Sequence, residues 1–263
     1  MDSLKLNSPA KLNLNLSVLD KRIDGMHEIK TRFQLINLSD EVLIKKTLSK
    51  SISVKTNLAP SIENKKNIVF SAIKLLSDHV GKEIHCEVDI IKNIPLGGGL
   101  GGGSSNAATA LIGINFLFEL GLTSKELMQL GEKLGADVPF FIFGKNAFAS
   151  GIGEILSEDN KNIDDKYLLL FPQIHSSTKE LFSKWDGLNK SAQKSLLDNE
   201  ENSFLPIFLD QNREVKIIFH ELCKSNSFKL SGTGSTIFCA YNDISEIEKT
   251  LKKIPSKWRH SFC

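Results

Sequence analysis

Residues 95–107 read Pro-Leu-Gly-Gly-Gly-Leu-Gly-Gly-Gly-Ser-Ser-Asn-Ala, with six glycines in seven positions. No side chain from Pro95 to Ser105 carries a charge, so the stretch can offer a ligand only main-chain N–H donors and two hydroxyls. Glycine loses conformational entropy when ordered, and so many together imply unusual backbone angles or close approach to a bound group. An expected helix follows, and its first N–H groups lack intrahelical partners at the positive end of the helix dipole. Pro95, Leu96, Gly97, Gly98, Gly99, Leu100, Gly101, Gly102, Gly103, Ser104 and Ser105 therefore form a candidate phosphate cradle. Lys11 and Asn13 lie two apart on an alternating segment and share a face. Asp137 stands between Gly135 and the apolar Phe140–Phe143, where a carboxylate either caps a helix or partners a buried group. A second small loop, Ser231-Gly232-Thr233-Gly234-Ser235, separates two short apolar runs.

Two nucleotide-loop types fit poorly. A G-x-x-x-x-G-K-[ST] loop needs a lysine after its glycines, and none is present. Gly97, Gly99 and Gly102 spell G-x-G-x-x-G, with Glu119 downstream. The helical spacing of 105–120 puts Glu119 in a last helical turn, however, whereas a ribose-binding acid ends a second strand.

The elements that must hold these residues can be read from periodicity. Residues 11–18 alternate strictly, which predicts a half-buried strand with Lys11, Asn13, Asn15 and Ser17 on one polar face. A polar loop at 20–28 contains Asp24-Gly25 and His27, and strands follow near 31–37 and 41–46. Apolar spacing predicts a helix over 64–80, stopped by Gly81, and a strand over 84–90 leading into the glycine loop. The helix over 105–120 ends with Gly121 in the C′ position. Thr123-Ser-Lys-Glu126 has the form of a capping box. A strand pair at 147–156 hinges at Gly151 and Gly153. The solvated connector 157–166 suggests a domain boundary, dividing an N-terminal domain 1–156 from a C-terminal domain 157–263. Beyond it come a buried strand at 167–171, short helices to 224, strands at 228–230 and 236–241, a helix at 244–253 and a strand at 258–262. Strands and helices alternate without a regular βαβ rhythm, so the expected class is α+β.

The 263 residues suffice for a sizeable core, and 41% hydrophobic with 24% charged residues is ordinary for a globular chain. A net charge of +2 argues against nucleic acid or a membrane surface as the main partner. Cys86, Cys223, Cys239 and Cys263 include no C-x-x-C pair, so neither a zinc site nor a disulfide framework is indicated. The N-terminus lacks the apolar core of a signal peptide, and no apolar run reaches ~18 residues. A cytoplasmic location is the expectation.

Three segments together resemble the kinase superfamily of galactokinase, homoserine kinase, mevalonate kinase and phosphomevalonate kinase. They are Ser8-Pro-Ala-Lys-Leu-Asn-Leu14, Pro95–Ala107 and Leu230-Ser-Gly-Thr-Gly-Ser235, in the order and spacing of that family. Pro9-Ala-Lys11-Leu-Asn13-Leu, Asp24-Gly-Met-His27 and Gly135-Ala-Asp137-Val-Pro-Phe-Phe141 resemble the branch acting on an alcohol that carries a cytidine diphosphate group. The resemblance implies a ribosomal S5 domain 2-like ATP-binding and catalytic N-terminal domain and a ferredoxin-like substrate-binding C-terminal domain. It implies ATP and Mg²⁺, with metal ligands and oligomeric state left open. It implies Asp137 as acceptor of the hydroxyl proton and Lys11 as its cationic partner. Asn67 and Lys92 would lie on the adenine side, and Asn13, Met26, His27, Thr178 and Phe182 along the substrate. Ser231, Gly232, Thr233 and Gly234 would form the family's third loop. Met26 stands where the family usually has tyrosine, which implies one ring and a thioether around the base instead of two rings. The chain stops at Cys263, where family members usually continue with a short tail. A kinase with another small alcohol as acceptor stays open, and an RNA-binding use of the S5-like fold and a dinucleotide oxidoreductase are weaker rivals.

Overall fold

A long N-terminal hairpin organises the molecule. The computed structural model describes residues 1–58, 67–161, 166–199 and 201–263. Strand β1 (Ser3–Lys21) pairs antiparallel with β2 (His27–Lys46), joined by a turn through Asp24 and Gly25. The two strands expected at 31–37 and 41–46 are one. Register shifts at Pro9/Ala10 and Asn13/Asn15 absorb the irregularity that splits the pattern in sequence.

β3 (Ile52–Thr56) and β4 (Cys86–Ile91) pair in parallel, and β4 adds antiparallel to β2. β5 (Ala147–Ser150) and β6 (Ile155–Glu158) extend β2 the other way, giving the order β3-β4-β2-β5-β6 with β1 also on β2. Helices α1 (Ile68–Val80), α2 (Gly102–Leu117), α3 (Ser124–Glu132) and α4 (Val138–Phe143) pack on this sheet and share its core. Ordering each loop glycine costs roughly 0.5–1 kcal/mol relative to alanine. Each fully buried aliphatic side chain of α2, such as Leu111 or Ile114, contributes about 2 kcal/mol. The helix that follows the loop can therefore hold it in place.

The second sheet has the order β10-β7-β9-β8, all antiparallel: β7 (Lys166–Phe171), β8 (Lys229–Leu230), β9 (Ile237–Tyr241) and β10 (Arg259–Phe262). Helices α5 (Thr178–Gly187), α6 (Lys190–Asn199), α7 (Leu205–Gln211) and α8 (Arg213–Cys223) lie between β7 and β8. β1 serves both halves. Its Leu16 and Val18 enter the core of Trp185, Phe204 and Phe208, and its Ala10 and Leu12 join Leu169 and Phe238 across the junction. The β6–β7 connector falls in the expected boundary segment, but its residues 162–165 lie outside the described residues.

Several element ends differ from the sequence reading. The described part of α1 begins after Asn67, and the expected start at 64–66 lies outside the described residues. α2 begins at Gly102, and Glu119 (φ 53°), not Gly121, takes the left-handed residue just past its end. The helix expected at 244–253 is a 3₁₀ turn (Ile244–Glu246) followed by α9 (Glu248–Leu251). All four cysteines are free, and burial pushes the Cys86 and Cys239 thiols up to about 12. No helix among the described residues is long and apolar enough to cross a membrane.

Candidate active site

β1 positions the charged centre. Lys11 donates its backbone N–H to Leu100 O at 3.0 Å, which ties the strand to the glycine loop. Its side chain is only 5% exposed. Nζ donates to Asn13 Oδ1 at 2.5 Å and lies 3.4 Å from Asp137 Oδ2 and 5.0 Å over the Phe33 ring. Asn13 is oriented in turn, because its Nδ2 donates to Thr31 Oγ1 at 2.9 Å. Thr31 Oγ1 then donates to Asn15 O at 2.6 Å. The polar face expected from strict alternation is corrected here. Asn13 pairs with Phe33 and Asn15 with Arg32, so Leu14 is an extra residue and the facing inverts. Leu16 lines the same cleft as Lys11 and Asn13, while Asn15 and Ser17 line a different groove with Arg32.

Asp137 occupies the N-cap position of α4 but makes no side-chain capping bond. Its carboxylate, about one-third exposed (32%), turns to Lys11 instead. That decides between the two roles open to it in sequence.

The two glycine loops interlock. Ser231 Oγ donates to Gly99 O at 3.2 Å and accepts from Asn13 N at 3.3 Å, and Thr236 N donates to Gly98 O at 3.2 Å. Gly99 has φ 74°, and a Cβ there would lie 2.3 Å from Ser231 O. Gly101 has φ 71°, and a Cβ would lie 2.8 Å from the Phe141 ring. Both positions exclude a side chain by conformation and by space. Asn202 holds the second loop from behind, its Nδ2 donating to Leu230 O at 2.8 Å and Gly232 O at 2.9 Å. Leu96 and Gly97 form a turn; among the described residues, none accepts a hydrogen bond from the N–H groups of Gly99 to Ser104, and the first helical bond runs from Ser105 N to Gly101 O at 2.8 Å. Unpaired amides at the start of a 16-residue helix have the donor set and dipole for an anion. Of the two serines, Ser104 lines the cleft, whereas Ser105 is buried with its hydroxyl bonded to that of Ser8.

The opposite end of the cleft is aromatic. His27 and Phe182 stack at 5.0 Å with an interplanar angle of 29°, and Phe182 packs edge-on against Phe204. His27 Nε2 bonds Asp186 Oδ1 at 2.6 Å; the carboxylate is the acceptor, so Nε2 carries the proton. Lys21 also bonds Asp186, which holds that carboxyl below the usual range, helped by His27 and opposed by burial. Met26 is half exposed at the rim, and Thr178 Oγ1 shares a hydrogen bond with Thr233 Oγ1 at 2.9 Å. One cavity of about 670 Å³ takes in Lys11, Asn13, Asp137, Gly99, Gly101 and Ser104 as well as Met26, His27 and Phe182, with the Thr178–Thr233 pair on its wall.

Other expected residues sit outside it. Asn67 caps α1, its Oδ1 accepting from Val69 N at 2.9 Å. Lys92, expected beside adenine, has a buried ammonium bound to Asp40 and to Asn106 behind the loop. Pro95 and Leu96 lie on the outer side of the loop, with Leu96 mostly exposed. Ser231 and Gly234 form the framework of the second loop. Sequence reasoning missed Thr31, Asp186 and Asn202. Asp186 follows Phe182 by four residues on one helix face, a usable signal, whereas nothing local marks Asn202.

Comparison with known proteins agrees with this geometry. Residues 67–145 match the family described as GHMP kinases N terminal domain. The chain is 38% identical over 260 residues to the 4-diphosphocytidyl-2-C-methyl-D-erythritol kinase of Ruthia magnifica subsp. Calyptogena magnifica, covering 95% of this chain and 90% of the relative. It is 37% identical over 260 residues to the enzyme of that name from Haemophilus ducreyi, covering 97% and 92%. A crystal structure of 4-(cytidine 5'-diphospho)-2C-methyl-D-erythritol kinase superposes with a TM-score of 0.79 at 25% identity, over 98% of each chain. The two-sheet α+β architecture is that of the GHMP kinases, and the chain belongs to the 4-diphosphocytidyl-2-C-methyl-D-erythritol kinase family.

Proposed function

We propose that this chain transfers the terminal phosphoryl group of ATP to the 2-hydroxyl of 4-diphosphocytidyl-2-C-methyl-D-erythritol. The observation that carries the reading is the placement of Asp137 and Lys11, 3.4 Å apart, in one cleft with the unpaired amides of the glycine loop and the His27–Phe182 stack. A phosphoryl transfer needs positioned phosphates, neutralised charge and an oriented hydroxyl. The amides of Gly99–Ser104 hold the phosphates. Asp137 accepts the hydroxyl proton as the new oxygen–phosphorus bond forms and the bond to the leaving diphosphate breaks. Lys11 is fixed by Asn13 and faces the charge that builds between carboxylate and phosphoryl oxygens. His27 and Phe182 receive the cytosine ring, with Met26 and Thr178 at its border.

The residues present fit a magnesium ion carried mainly by phosphate oxygens. No group of three or more His, Cys, Asp or Glu among the described residues is placed to cage a metal, and Mg²⁺ commonly keeps its waters and phosphate ligands. Asp137 and the Ser104 hydroxyl are the groups in the cleft that would meet it. Its chemistry is to offset the negative charge of the transferring phosphates.

An acceptor lacking the cytidylyl group is the alternative the Met26 position raises. Steady-state assays with 4-diphosphocytidyl-2-C-methyl-D-erythritol and with 2-C-methyl-D-erythritol 4-phosphate separate the two. We expect kcat/KM at least 10²-fold higher for the cytidylyl substrate, because the aromatic end of the cleft acts only on it. Equal values would assign the protein to another acceptor.

A further inference from the structure

Asp40 carries a buried carboxylate that the transfer chemistry does not use. It sits on β2 opposite Ser8 of β1, with no solvent exposure. Four donors converge on it. Asn93 N and Ile94 N donate to Oδ1 at 2.7 and 2.9 Å. Lys92 Nζ and Asn106 Nδ2 donate to Oδ2, the latter at 2.9 Å. A carboxylate has about four lone-pair sites, so its acceptor capacity is filled.

The donors are placed in a telling way. Lys92, Asn93 and Ile94 immediately precede Pro95, where the glycine loop begins. Asn106 lies in the second turn of α2, just after the loop ends. A single side chain thus grips both ends of the loop. Cross-links tighten the knot: Lys92 Nζ donates to Asn106 Oδ1 at 2.8 Å, and Asn106 Nδ2 also reaches Ser8 Oγ at 2.9 Å. Ser8 in turn shares a hydrogen bond with Ser105 at 2.8 Å. A loop of six glycines has much conformational freedom to lose when it closes on a ligand. Fixing its two ends beforehand removes part of that loss from the binding step.

We propose that Asp40 is a positioning residue for the nucleotide: it cinches the base of the glycine loop so that the loop amides converge before ATP arrives. Lys92 and Asn106 act through the same carboxylate, from behind the loop. The inference rests on the reading of that loop as the nucleotide site. It predicts a selective defect, because the aromatic end of the cleft is built on α5 and on His27 at the start of β2, far along that strand from Asp40.

The test is steady-state kinetics of Asp40→Asn and Asn106→Ala, with both substrates varied and folding followed by circular dichroism. Asp40→Asn leaves the buried Lys92 ammonium facing a neutral amide and can fail to fold. Asn106→Ala keeps the Asp40–Lys92 pair and removes the α2 tie to Asp40, together with the Asn106 bonds to Lys92 and Ser8, so it decides the matter in that case. We expect KM for ATP to rise at least tenfold in Asp40→Asn and at least threefold in Asn106→Ala, with KM for the cytidylyl substrate within twofold of wild type. A folded variant with unchanged KM for ATP, or with both KM values raised alike, overturns the proposal. Failure of wild-type protein to bind ATP at all would instead overturn the reading of the loop.

Discussion

Lys11 and Asp137 are close enough to attract but are not locked in a short hydrogen bond, at 3.4 Å. The ammonium already has a hydrogen-bond partner in Asn13, and the carboxylate keeps a face open to the cleft. This arrangement suits a group that must take a proton and give it up again. Asp137→Asn keeps the shape and loses the base. We expect kcat to fall at least 10³-fold with KM for ATP within threefold, since loss of one well-placed catalytic group costs about 10²–10⁴. Lys11→Met should lower kcat by about 10² or more. Steady-state kinetics checks both, and near-normal turnover in Asp137→Asn removes that residue from the chemistry. At this scale much was legible. Lys11 and Asn13 share a face as their spacing says, and Asp137 lies where a turn meets an apolar helix. Asn15 and Ser17 were misplaced because one extra residue inverts strand facing, and a bulge is set by the partner strand rather than by local sequence. The tie between Lys92 and Asp40 had no signal in the sequence for a different reason: the two residues are 52 positions apart in the chain.

Local signals announced most elements. The capping box of Thr123 and Glu126 is formed, and Gly81 takes the left-handed cap expected of it. The interlock of the two glycine loops had no such signal, because it depends on Gly99 meeting Ser231 from the opposite sheet. That contact yields a comparison within the loop. Gly99→Ala puts a methyl group 2.3 Å from a carbonyl oxygen at a left-handed φ, whereas a Cβ at Gly103 meets nothing closer than Ile68 Cγ2 at 4.0 Å. Strain plus overpacking should destabilise Gly99→Ala by about 2 kcal/mol or more. Gly103→Ala should change stability by less than about 1 kcal/mol. Chemical denaturation of the two variants measures the difference. Equal midpoints would mean that the loops do not interlock as described.

Across the whole molecule, β1 is the shared part. One strand carries Lys11 and Asn13 between two sheets, joins their cores, and ends at Lys21 beside Asp186. The α+β class followed from the order of strands and helices, but the sharing did not. Leu16 and Val18 look like ordinary strand residues, and only the fold shows that they pack on Trp185 and Phe204 of the later half. The cleft between the halves has room for a nucleotide phosphate tail at one end and a flat base at the other. The most direct test of this account is a crystal structure with a non-hydrolysable ATP analogue and the cytidylyl substrate bound together. The account predicts the terminal phosphate against the amides of Gly99–Ser104, and the substrate 2-hydroxyl within ~3 Å of an Asp137 carboxylate oxygen. A terminal phosphate bound elsewhere, or a hydroxyl turned away from Asp137 with the base outside the His27–Phe182 end, would contradict it.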